Sequence, residues 1–237
     1  MGESGTHVAV VGAAGVFGQA LVPALQARGH KVTAVTRATY AEARAAEYDV
    51  VVNTAMPSKR FWARQHPQLD YVETVTKTAD LLYGWRFKRF VHISTLSVRT
   101  ERDSVYGRHK AAAEVLCERP DTLTVRLTAL YSERMTKGAI MDIISGGPVF
   151  VDGNSRYAFT PVSFAADWVA SNLGRSGVVE VGARDTVTLR DIATALGRQV
   201  QFSGPVEDQT VQNADQSWPS ARAVIDFAMQ LARKHLS

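Results

Sequence analysis

The strongest constraint on this chain is the alternation of short β-branched apolar runs with helical segments through its first half. His7–Val11, Lys31–Thr36 and Asp49–Asn53 read as strands, and Phe17–Arg28, closed by Gly29, and the Ala-rich Tyr40–Tyr48 read as helices between them. Strands joined through helices run parallel, and each helix must cover a sheet face, so the pattern predicts an α/β fold: a Rossmann-type doubly wound parallel sheet. Further on, Leu69–Phe87 reads as a helix, Phe90–Ser94 as a strand, Tyr106–Glu118 as a helix and Thr122–Leu127 as a strand.

Beyond that point the periodicity weakens. Val178–Val181 is a late strand, and Thr188 with Asp191 has the spacing of a capping box opening a helix that ends near Gly197. Pro219–His235 is a final amphipathic helix with Pro219 in its first turn. A length of 237 residues suits one large core. Residues 1–237 are therefore read as a single Rossmann-type domain, with 131–237 contributing most of a small C-terminal substrate-binding region.

Composition narrows the function classes. Hydrophobic residues at 46% and charged residues at 21% are those of a folded soluble chain. The formal charge of +4 is spread over scattered Lys and Arg, without the basic runs that nucleic acid requires, so no nucleic-acid partner is expected. The apolar stretch Val8–Leu25 is broken by glycines, Gln19 and Pro23 and lacks a basic flank, so neither a leader nor a membrane span is expected. A lone cysteine, Cys117, excludes an internal disulfide, leaves no Cys-based metal site to expect, and fits a reducing cytoplasm.

Gly12, Gly15 and Gly18 lie where the first strand turns into the first helix. A dinucleotide pyrophosphate needs glycine there, so that the backbone turns tightly, approaches without a Cβ and aims the helix amides at the phosphates. Ala14, Val16 and Phe17 complete the loop and belong to the expected cofactor site. Arg37 follows the second strand, where the adenosine ribose lies in such folds, and no Asp or Glu occurs between Lys31 and Ala41. An acid there would repel a 2′-phosphate, whereas a guanidinium pairs with it, so the expected cofactor is NADP(H).

Tyr106 and Lys110 are four residues apart at the start of a helix and share one face. A phenol titrates near ~10, and an ammonium beside it would favour phenolate and lower that value toward neutrality. Lys110 would also reach the nicotinamide ribose. Ser94-Thr95-Leu96-Ser97 ends the preceding apolar strand, the end at which ligands sit in open α/β sheets, and a hydroxyl there would orient a carbonyl for protonation by Tyr106.

Gly12–Gly18, Arg89–Thr95 and Val105–Lys110 together resemble the extended and atypical short-chain dehydrogenase/reductases, above all the NAD-dependent epimerase/dehydratase group that acts on nucleotide sugars, including its 4-ketoreductases. The resemblance implies Tyr106 as acid-base, Lys110 as its charge partner and ribose ligand, and Thr95, with Ser94 the neighbouring alternative, as the carbonyl-orienting hydroxyl. It also implies that Thr54, Ala55 and Met56 pass beside the cofactor, and that the chain is a homodimer through helices that include the one bearing Tyr106. Thr95 is followed by Leu96 and Ser97, not by the acidic pair of 4,6-dehydratases. With Arg37, this makes an NADPH-dependent ketoreductase of a small carbonyl substrate, best a nucleotide-linked 4-keto sugar, the expected activity. An epimerase, a ketoreductase of a secondary metabolite and a non-catalytic NADP(H) sensor are the alternatives. Two departures stand out: the strand usual between the Arg37 region and Asp49 is missing, and Thr74 occupies a position that is often asparagine.

Overall fold

The computed structural model describes residues 5–236, with side chains to position 234, and the chain divides into two compact units. The first runs through Arg126 and takes back Ser163–Val179; the second holds Leu127–Val162 and the chain from Glu180 onward. The chain passes from the first unit to the second after Arg126.

In the first unit the elements are β1 (His7–Val11), α1 (Val16–Gln26), β2 (Lys31–Val35), α2 (Tyr40–Arg44), β3 (Glu47–Asn53), α3 (Arg60–Gln65), α4 (Pro67–Tyr71), α5 (Lys77–Gly84), β4 (Arg86–Thr95), α6 (Ser97–Thr100), α7 (Val105–Leu116) and β5 (Thr122–Leu127). One π-helical turn, Val72–Thr76, joins α4 to α5. In the rest of the chain come β6 (Leu130–Tyr131), α8 (Ala139–Ser145), β7 (Arg156–Tyr157), β8 (Thr160–Pro161), α9 (Val162–Ser171), β9 (Gly177–Val181), β10 (Val187–Thr188), α10 (Leu189–Ala195), β11 (Asp208–Gln209) and α11 (Ala223–Leu236).

The main sheet has six parallel strands in the order β2-β1-β3-β4-β5-β9. Its register sets Val8 between Val32 and Val50. The common doubly wound order carries a further strand outside β2. Its absence, legible in the short interval between Thr36 and Asp49, leaves β2 as the sheet edge. The strands carry continuous apolar runs because helices cover both faces: Val8, Ala9, Val10, Val51 and Val52 are fully buried. α9 returns to this unit, where Asp167 pairs with Arg28, just past the end of α1, at 3.0 Å.

Two expected helices end early, for one shared reason. The helix read as Tyr40–Tyr48 stops at Arg44, and the one read as Leu69–Phe87 stops at Gly84. Glu47 pairs with Arg86 and Tyr48 with Phe87, so both segments extend the β3–β4 ladder instead. Tyr48 stacks on Trp85 in the core, with its hydroxyl donating to the Ala43 carbonyl at 3.0 Å, which makes the pairing worth more than another helical turn. The final helix begins at Ala223, not at Pro219, because Asp185 holds the preceding turn through Ser220 Oγ and the Ala221 amide.

The second unit is built from short strands, β10-β7-β11 and the pair β6-β8, with α8, α10 and α11. The Thr188–Asp191 capping box forms in both directions, at 3.0 and 3.1 Å.

Candidate active site

The loop between β1 and α1 is fixed from below. The amides of Gly12 and Ala13 both donate to the Val35 carbonyl of β2, and Gly15 donates to the Gly12 carbonyl. Gly12 adopts φ +88°, and a Cβ there would stand 2.7 Å from the Ala55 Cα and 2.8 Å from Thr54 Oγ1. A Cβ on Gly18 would meet the Gly12 carbonyl at 2.4 Å. The loop is therefore pressed against both the helix it opens and the exit of β3, a fit that glycine alone allows. α1 has no side-chain cap and no acid in its first turn, and Ala14, Gly15 and Val16 lie exposed beside its free amides.

Thr54 and Ala55 are adjacent to Gly12. Thr54 donates to the Val11 carbonyl through both its amide and its hydroxyl, at 2.9 and 2.8 Å. Asn53, which the sequence reading did not single out, positions the segment: fully buried, it accepts the Ala55 amide at 3.1 Å and donates to Thr78. Arg37 is exposed just past the end of the edge strand, and its neighbour Thr36 is held in a turn by Thr39 Oγ1.

At the other end, α7 is capped by Ser104, which accepts the Gly107 amide at 2.9 Å. The helix brings Tyr106 and Lys110 together in the interior, 6% and 3% exposed. Lys110 Nζ lies 5.1 Å from the Tyr106 ring centroid, and Thr95 acts on the phenol hydroxyl to favour its ionised form. Ser94 faces elsewhere. Its hydroxyl donates to Glu114 Oε1 at 2.5 Å, and Glu114 is clasped by Arg126 at 2.6 Å. Strand alternation sends neighbours to opposite faces, so Thr95 meets the phenol and Ser94 joins a buried ion pair.

The electrostatics differ from expectation in sign. Burial pushes the Tyr106 phenol up to about 12, countered first by Arg60 and raised further by Glu101 and Asp70. Burial also lowers Lys110 to about 7, against the pull of Asp70. A lysine so desolvated is only partly charged at neutrality, which is why it does not draw the phenol down. His92, fully buried with both ring nitrogens unpartnered, is pushed down to about 3 by burial and then by Lys110, and stays neutral. Asp70, fully buried on α4, binds His109 Nδ1 at 2.8 Å.

Gly107 is a packing requirement of α7 that the sequence reading passed over. A Cβ there would lie 2.1 Å from the Glu101 carbonyl oxygen, so the glycine lets α7 close on the loop before it. Its place directly after Tyr106 was the available signal. Arg60 and Glu101 carried none.

Residues 8–163, the glycine loop, Thr95, Tyr106 and Lys110 among them, match the NAD dependent epimerase/dehydratase family. The chain belongs to that family. Solved structures of similar fold include UDP-N-acetylglucosamine 4-epimerase from Methanobrevibacter ruminantium M1 in complex with UDP-N-acetylmuramic acid, 14% identical over 99% of each chain with a TM-score of 0.79. A dTDP-4-dehydrorhamnose reductase from Bacillus anthracis in complex with NADP is 16% identical over 99% of this chain and 100% of that one, with a TM-score of 0.74. A UDP-galactose 4-epimerase is 22% identical over 96% of this chain and 99% of that one, with a TM-score of 0.73. No curated protein matches. The epimerase/dehydratase fold binds NAD(P), and the glycine cradle, the uncapped α1 amides and the Thr54–Met56 wall fit such a dinucleotide.

Proposed function

We propose that this member of the epimerase/dehydratase family is a cytoplasmic NADPH-dependent ketoreductase, and that its substrate is a nucleotide-linked 4-keto sugar. The observation that carries the reading is the setting of Tyr106: buried on α7, with Lys110 Nζ 5.1 Å from its ring centroid and Thr95 at the end of β4 acting on its hydroxyl, it holds a proton at neutral pH.

When bound, NADPH supplies a hydride to the carbonyl carbon. Tyr106 protonates the oxygen, Thr95 orients it, and Lys110 holds the nicotinamide ribose. Gly12, Ala14, Gly15, Val16, Phe17 and Gly18 hold the pyrophosphate, Thr54, Ala55 and Met56 flank the cofactor, and Arg37 pairs with the 2′-phosphate. Residues 131–237 are the proposed source of most substrate contacts, with Arg99, Arg102, Arg134, Lys137 and Arg156 as candidate diphosphate ligands. A homodimer through the helices after the fourth strand, α7 with Tyr106 among them, is supported by Val115, exposed on α7.

The test is calorimetric titration with NADPH and NADH, repeated for Arg37→Ala, followed by NADPH oxidation against nucleotide-linked and free ketones. A preference for NADPH that disappears in the variant, with turnover that Tyr106→Phe removes, supports the reading. Tight retained NAD with redox-neutral conversion would replace it with an epimerase.

A further inference from the structure

Arg37 is carried by a turn whose two ends are held by different parts of the first unit. On the strand side, the carbonyl of Val35, the last residue of β2, accepts the amides of Gly12 and Ala13 at 3.0 and 3.1 Å. The end of β2 is therefore tied to the glycine loop itself. On the helix side, Thr39 Oγ1 accepts the Thr36 amide at 3.0 Å and lies 3.4 Å from Thr36 Oγ1, while the Thr39 carbonyl accepts the Ala43 amide of α2 at 3.0 Å. Only Arg37 and Ala38 lie between the two threonines, so the turn has little freedom of its own.

α2 is five residues long, too short to hold its shape unaided, so its place is decided by what anchors it. Tyr40 and Arg44 lie four apart on one face of α2, and both reach Asp80 on α5. The Tyr40 hydroxyl donates to Asp80 Oδ2 at 2.6 Å, and Arg44 Nη1 lies 3.0 Å from Oδ1. The Tyr40 ring packs edge-on against Trp85, with 5.2 Å between centroids, and Lys77 Nζ lies 5.4 Å from the Tyr40 centroid. The exposed ion pair contributes least to this anchor, and the half-buried Tyr40, with an apolar ring and a hydrogen bond to a carboxylate, contributes most. With no strand outside β2 in the sheet, α2 takes its place from α5.

We infer that Thr39 and Tyr40 are positioning residues that set the preference for NADPH over NADH: Tyr40 anchors α2 to α5, Thr39 closes the Arg37 turn onto that helix, and the turn is thereby held at a set place relative to the glycine loop. The inference rests on the reading of Arg37 as the 2′-phosphate ligand. A guanidinium on a loose turn must be ordered when the phosphate binds, and that ordering weakens binding. NADH brings no 2′-phosphate and needs no such ordering. Thr39 and Tyr40 therefore act on the choice between the two nucleotides and not on dinucleotide binding as such.

The experiment titrates the full chain with NADPH and NADH by calorimetry, in the wild type and in Thr39→Ala, Thr39→Ser, Tyr40→Phe and Arg37→Ala. Neither Thr39→Ala nor Tyr40→Phe changes a charge at neutral pH, so an altered field does not enter the comparison. Each is expected to weaken NADPH by roughly five- to tenfold, the effect of about one hydrogen bond, and to leave NADH unchanged. Thr39→Ser keeps the hydroxyl and is expected to keep the wild-type ratio of affinities. Added to Arg37→Ala, neither substitution is expected to change the ratio further, because both act through the guanidinium. If Arg37→Ala abolishes the preference while Thr39→Ala or Tyr40→Phe weakens NADPH and NADH alike, or weakens neither, the inference is overturned and the reading of Arg37 stands. A preference that survives Arg37→Ala would overturn both.

Discussion

Replacing Lys110 by Met takes a titrating amine out of the interior and leaves an unbranched chain of similar length. Lys110 is 3% exposed, and burial lowers it from 10.5 to about 7. Its folded value lies below its unfolded one, so between these two pH values the unfolded chain binds more protons and stability rises with pH. Below pH 7 the full penalty applies; above about 10.5 it vanishes. At pH 7 the unfolded amine is almost wholly protonated and the folded one about half, a cost to folding of about 4 kcal/mol. Lys110→Met is therefore expected to stabilise the protein by about 2–4 kcal/mol at neutral pH, after allowing for imperfect repacking. In a chain of this size that raises the melting temperature by about 2–4 °C per kcal/mol. Turnover should be lost at the same time. Thermal unfolding of both proteins from pH 7 to about 10 reads the effect, whose difference must shrink as pH rises. A variant less stable than the wild type at pH 7, or a difference that does not change with pH, would refute the argument.

Gly107→Ala should lower stability by about 1–3 kcal/mol, although Ala for Gly inside a helix ordinarily gains about 1, because its Cβ meets backbone that cannot yield. Displacing Tyr106 from Thr95 would cost about 100-fold in turnover, and a more stable, fully active variant would show that α7 slides freely on the Glu101 loop. Thr188→Ala should cost about 1 kcal/mol by chemical denaturation. Asp191→Ala should cost a similar amount, and the double variant less than the sum, since the two residues cap one another.

What was legible in the sequence was whatever one element can specify alone. The β1 turn, the capping box at Thr188 and the strand Thr122–Leu127 are local patterns, and each stands where it was read. Thr54 and Ala55 stand beside Gly12 because a parallel sheet fixes which strand ends are neighbours. The ends of α2 and α5 were misread because Tyr48 and Phe87 answer to each other across the sheet, and no periodicity within either segment records that pairing. α8 stayed hidden because seven residues in a Gly-rich stretch give too few turns for a pattern.

The site divides along the same line. The sequence by itself determined the glycine cradle, the acid-free neighbourhood of Arg37 and the pairing of Tyr106 with Lys110 on one helical face, since each depends on residue type and spacing. Tertiary structure alone decided that Thr95 and not Ser94 meets the phenol. It alone paired Arg60 with Glu101 and set the Glu101 carbonyl against Gly107. It also set the charges, because the ionisation of Tyr106 and Lys110 depends on how much water and which charges surround them, and those are fixed only when distant segments close over the same space.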